Sequence, residues 1–98
     1  MEARSIHELS SDLFPVFSQY NIRKVVLFGS AAKETATSNS DIDLLVDSGL
    51  KGLRFVGFLE DIRRAVDRDV DLLDVAHIQP GSRIDLEIAQ TGVVIYEK

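Results

Sequence analysis

The 98-residue chain sets eleven Lys and Arg against sixteen Asp and Glu, a formal net charge of −5, and is 45% hydrophobic without a single cysteine. That is enough for one domain over residues 1–98, burying between the roughly 60% and 70% of surface expected of 60- and 150-residue chains, with no space for a separate substrate domain. The acidic balance argues against a nonspecific nucleic-acid binder, which needs a basic footprint, and the missing cysteines exclude disulfides and thiolate metal sites.

The polar, acidic start "MEARSIHELSSD" is unlike a signal peptide, and no apolar run approaches the roughly 18 residues of a membrane span, so a cytoplasmic protein without membrane contact is expected. Ile6, Leu9, Leu13, Phe17 and Tyr20 recur at helical steps; Pro15 predicts a kink or a late start near Ser11, and Asn21 a stop. "KVVLF" (Lys24 to Phe28) is a buried strand halted by Gly29, and "AAKETATSNS" reads as a short helical turn and a loop. "DIDLLVD" is the second strand. Leu53, Val56, Leu59, Ile62 and Val66 then form the stripe of a second long helix, with Asp61, Arg63 and Arg64 facing water and Phe55 and Phe58 added to the core. "DVDLLDV" (Asp69 to Val75) is the third strand, "PGSRIDLEIAQTG" a last helix between Pro80 and Gly92, and "VVIYE" the fourth strand. The order predicts an α/β (α+β) fold with a mixed four-stranded sheet and helices packed mainly on one face.

Two aspartates inside an apolar strand require an explanation, because burying a carboxylate is costly unless something compensates it. Residues two apart on a strand share a face, so Asp41 and Asp43 project together, about 6.6 Å apart at a rise of roughly 3.3 Å per residue, while Ile42, Leu44 and Val46 enter the core. If the second and third strands are neighbours, Asp71 approaches this pair, with Asp69 and Asp74 competing for the same role. Carboxylates about 5 Å apart repel by roughly 3 kcal/mol at an effective dielectric near 20, and an all-oxygen cluster of this kind suits a hard cation such as Mg²⁺. Upstream, Gly29 lets backbone approach a ligand closely, and Ser30 offers a hydroxyl at the start of a turn whose N–H groups suit a phosphate; a capping role for Ser30 is compatible. Asp47 reads as a solvated strand end, His7 and His77 as surface residues, and Arg63, Arg64 and Arg68 as a solvated helix end.

"LFGS", ten residues, then "DIDLLVD" resembles the motif of the nucleotidyltransferase superfamily that includes the polymerase-beta-like enzymes. The short chain and the later "DVDLLDV…RIDLEIAQTGVVIYE" resemble its minimal nucleotidyltransferases, nearly from end to end. The resemblance implies the nucleotidyltransferase fold, a triphosphate held by Gly29 and Ser30, and Mg²⁺ bound by Asp41, Asp43 and Asp71. Relatives of this size are commonly antitoxins paired with a helical HEPN ribonuclease toxin, and some inactivate that toxin by moving AMP from ATP to one of its tyrosines. Many relatives read Gly-Ser-Arg-Ala-Arg-Gly where this chain has "GSAAKE": Lys33 keeps a charge for the nucleotide without the bidentate fork, and Glu34 adds a negative one. The expectation is therefore a Mg²⁺-dependent protein adenylyltransferase acting on a HEPN toxin, as a homo- or hetero-oligomer, without direct nucleic-acid binding. The alternative is an antitoxin that neutralises its partner by tight binding alone. Antibiotic modification or polymerisation would need further substrate-binding surface.

Overall fold

Alternating apolar residues become two distinct sheet faces in a computed structural model that describes residues 6–29 and 41–98. Among these, β1 (Lys24–Phe28), β2 (Ile42–Asp47), β3 (Val70–Asp74) and β4 (Val93–Glu97) form one sheet in the order β3-β2-β1-β4. β1 is antiparallel to both β2 and β4, whereas β2 and β3 are parallel, so the sheet is mixed as expected. A parallel pair needs a crossover connection. Here α2 (Leu53–Val66) supplies it, with α1 (Ile6–Gln19) before the sheet and α3 (Arg83–Thr91) between β3 and β4. The turn and loop expected over "AAKETATSNS" lie outside the described residues.

One face carries the core. Val25 and Leu27 of β1 and Ile42, Leu44 and Val46 of β2 pack against Leu9, Leu13 and Phe17 of α1 and Phe58, Ile62 and Val66 of α2, all buried. The ring of Phe17 joins the layers, with centroids 6.1 Å from Phe58 and 5.3 Å from Tyr96. Each such side chain contributes about 1.5–3 kcal/mol by leaving water.

Three local expectations change. Helix α1 includes Ile6 and runs through Pro15, so of the two expectations for Pro15 the late start near Ser11 does not hold; Ser11, whose carbonyl Pro15 cannot serve, is exposed. The buried stripe of α2 is Phe58, Ile62 and Val66, with Phe55 partly buried, while Leu53 and Val56 stay 88% and 53% exposed. Two apolar stripes compete on this helix, and the one holding the large ring of Phe58 faces the sheet. Asp61, expected in water, lies on the side of α2 that meets α1 and accepts the Tyr20 hydroxyl at 2.6 Å.

The helices lie mainly on one face, and α3 is the exception. A Cβ on Gly92, which caps α3, would stand 2.7 Å from Cγ1 of Val26, a residue on the face opposite Val25 and Leu27. That second face presents Val26 and Phe28 of β1 and Leu45 of β2 among charged residues, enough apolar surface to hold a short helix. No helix among the described residues is long and apolar enough to cross a membrane.

Candidate active site

The second face collects the acidic residues, and strand register decides which of them meet. Phe28, the last residue of β1, pairs with Asp43, and Asp43 pairs with Asp71 across the parallel β2–β3 ladder. In-register partners put their side chains on the same face, so Asp43 and Asp71 stand side by side. Asp41 lies just before β2 and is exposed, as is Asp71, whereas Asp43 is half-buried. Gly29 follows β1 at φ +73°, in the left-handed region that favours glycine, and a Cβ there would collide with Oδ2 of Asp43. Glycine is thus what allows the Asp43 carboxyl to sit against the chain after β1. Ser30, Ala31, Lys33 and Glu34 lie outside the described residues.

Asp43 is held above the ordinary carboxyl pKa, chiefly by burial and then by the charges of Asp71, Asp41 and Glu87. Glu87 is absent from the sequence reading. It stands on α3, half-buried beside Ile88 and four residues before Thr91, which are also half-buried. A glutamate on the inward side of an amphipathic helix was the available signal, but its meaning depended on α3 crossing the acidic face.

The other strand-end aspartates are engaged elsewhere. Asp69 precedes β3, is exposed and pairs with Arg63 at 3.4 Å. Asp74 is buried; it accepts the Ser48 hydroxyl on Oδ2 and the Ala76 N–H on Oδ1 at 3.0 Å. Asp47, read as a solvated strand end, pairs with Arg23 at 3.0 Å. His7 and His77 are exposed.

Among the described residues, no three carboxylate or imidazole groups stand close enough together to hold a metal ion as they lie. The donors nonetheless suit a hard divalent cation in kind. They are carboxylate oxygens, and the group at their centre is destabilised by like charges that a cation would offset.

Residues 12–98 match the model of the family described as "Polymerase beta, Nucleotidyltransferase". A candidate protein adenylyltransferase of Methanocaldococcus jannaschii is 27% identical over 78 residues, covering 78% of this chain and 84% of that protein. Among solved structures, a toxin–antitoxin with AMP-PNP superposes with a TM-score of 0.76 at 22% identity, over 91% of this chain and 73% of the other. A complex of tri-AMPylated Shewanella oneidensis HEPN toxin with MNT antitoxin superposes with a TM-score of 0.71 at 18% identity, over 95% and 73% of the two chains. At these identities the structural likeness is one of fold.

Proposed function

Since the chain belongs to the polymerase beta nucleotidyltransferase family, we propose that it moves AMP from ATP to a tyrosine hydroxyl of a partner HEPN toxin and so acts as the antitoxin of the pair. The observation that carries this reading is the in-register pairing of Asp43 with Asp71 beside Gly29. The relative named for protein adenylylation and the similar folds bound to AMP-PNP or to an AMPylated HEPN toxin support it.

Gly29 and Ser30 hold the β- and γ-phosphates of ATP, and Lys33 adds a positive charge to the same anion. Asp41, Asp43 and Asp71 would hold Mg²⁺, which when bound neutralises phosphate charge and polarises the transferring group. The acceptor oxygen bonds to the α-phosphorus as the bond to the bridging oxygen of the β-phosphate breaks. Pyrophosphate leaves toward Gly29, and the phenolic proton passes to the Asp71 carboxylate. The reading includes no direct binding of nucleic acid, in keeping with the net charge of −5.

The test is the intact mass of the toxin after incubation with this protein, ATP and Mg²⁺. Whole adenylate units should appear, and none with the Asp41→Asn/Asp43→Asn variant. The departures at Ala31, Lys33 and Glu34 favour one second reading, an antitoxin that occludes its partner without chemistry. An unmodified toxin in a stable complex, with protection retained by the double variant, would replace the first reading by the second.

A further inference from the structure

The sheet face that carries Asp43 continues into an open groove of about 150 Å³. Leu45 belongs to its lining and lies two residues past Asp43 on the same face, about 6.6 Å away at a strand rise of roughly 3.3 Å. Among the described residues, Val75, Ile78 and Pro80 of the β3–α3 connection and Asp85 of α3 line it as well. The connection is pinned at both ends. Asp74 caps the 3-10 turn over Val75–His77 through the Ala76 N–H, and the Ser82 hydroxyl caps α3 through the Asp85 N–H. Asp85 in turn accepts the Gly81 N–H at 2.8 Å, so its carboxylate faces a backbone donor of its own.

We infer that this groove seats the aromatic ring of the acceptor tyrosine and delivers its hydroxyl to Asp43 and Asp71, a subsite that rests on the transferase reading above. The in-line geometry of phosphoryl displacement selects the occupant: attacking oxygen and leaving pyrophosphate stand on opposite sides of the reacting phosphorus. Gly29 follows the Phe28–Asp43 pair at the start of β2, whereas Leu45 lies past Asp43 in the other direction. With pyrophosphate leaving on the Gly29 side, the attacker comes from the groove. No Lys or Arg is among the described residues that line it, so it offers nothing to a triphosphate. Leu45, Val75, Ile78 and Pro80 give it an apolar wall that fits a ring, and its open mouth leaves the acceptor backbone outside.

Length decides the class of acceptor. A tyrosine ring carries its hydroxyl about as far from the Cβ as the strand carries Leu45 from Asp43, roughly two residues of rise. A serine or threonine hydroxyl, one bond from its Cβ, would need its own backbone pressed against Asp43 and would leave the groove empty.

Methyl NMR of the wild-type protein tests the assignment without catalysis. N-acetyltyrosinamide should produce saturable shifts at the Leu45, Val75 and Ile78 methyls, and N-acetylserinamide and ATP should not. Shifts there with ATP but not with the tyrosine probe would make the groove a nucleobase site and overturn the proposal, as would unmoved methyls with every probe. In turnover, Val75→Gln and Ile78→Gln should each raise KM for the toxin about tenfold while KM for ATP stays put; a rise in KM for ATP, or no change in either, would also overturn it. Failure of the transferase reading appears separately, as an unmodified toxin with the wild-type protein. The NMR result stands whether or not transfer occurs or either variant folds.

Discussion

Asp43 is a residue whose charge opposes folding. Its folded pKa is raised by burial and by Asp71, Asp41 and Glu87, so the native state binds its proton more tightly than the unfolded chain does. The sign follows: the destabilisation is absent below the unfolded value near 3.8, grows as pH rises toward the folded value, and is complete above it. Asp43→Asn should therefore raise Tm at pH 7, with the gain shrinking as pH falls toward 3.8, in melts of both proteins across that range. The same substitution should lower AMP transfer by about 100-fold or more, the scale of removing one preorganised electrostatic contact. A variant both more stable and inactive identifies a residue kept for chemistry. A less stable one would mean that the carboxylate has a structural partner instead.

At the scale of the element, β3 and the residue before it hold three aspartates with three surroundings. Asp69 lies outside the strand and makes an exposed ion pair with Arg63, of the kind worth about 0–1 kcal/mol. Asp69→Asn should leave both urea stability and transfer nearly unchanged. Asp74 joins the ends of β2 and β3 by accepting from Ser48 and from the 3-10 turn. An amide keeps only one of those two acceptor oxygens. Asp74→Asn should thus lose about 1–3 kcal/mol in urea unfolding, the penalty for a buried donor left unpaired. Only Asp71 faces Asp43, and its position rests on the β2–β3 register. A slip of one residue would turn every side chain of β3 to the other face.

For the whole molecule, the core on one face of the sheet supports the site on the other. Strands β1 and β2 bury Val25, Leu27, Ile42, Leu44 and Val46 under α1 and α2, and the same two strands carry Phe28, Asp43 and Leu45 on the opposite side. Rigidity at the site is borrowed from packing behind it. Phe17→Ala should lose about 3–5 kcal/mol of a total near 5–15 kcal/mol, read from denaturant unfolding, while transfer per folded molecule stays the same. The experiment separates the scaffold from the chemistry, because Phe17 lies in the core on the face away from Asp43.

Among the described residues, local spacing was sufficient to place the strands and helices, apart from the start of α1, since a period of two or of 3.6 is written into consecutive residues. It also put Asp41 and Asp43 at one strand and three candidate aspartates at another, with Gly29 at the end of a third. The buried stripe of α2 was less legible, because two apolar stripes coexist and only packing against β1 and β2 chooses Phe58 over Leu53 and Val56. The same limit applied to β3: alternation alone gives Asp69 and Asp71 one face, and the β2–β3 ladder sets Asp71, not Asp69 or Asp74, against Asp43. What Glu87 faces, and the groove beside Leu45, lay beyond any reading of spacing. Both depend on α3 crossing the second face of the sheet, a contact between residues some forty apart in the chain, which no local periodicity encodes.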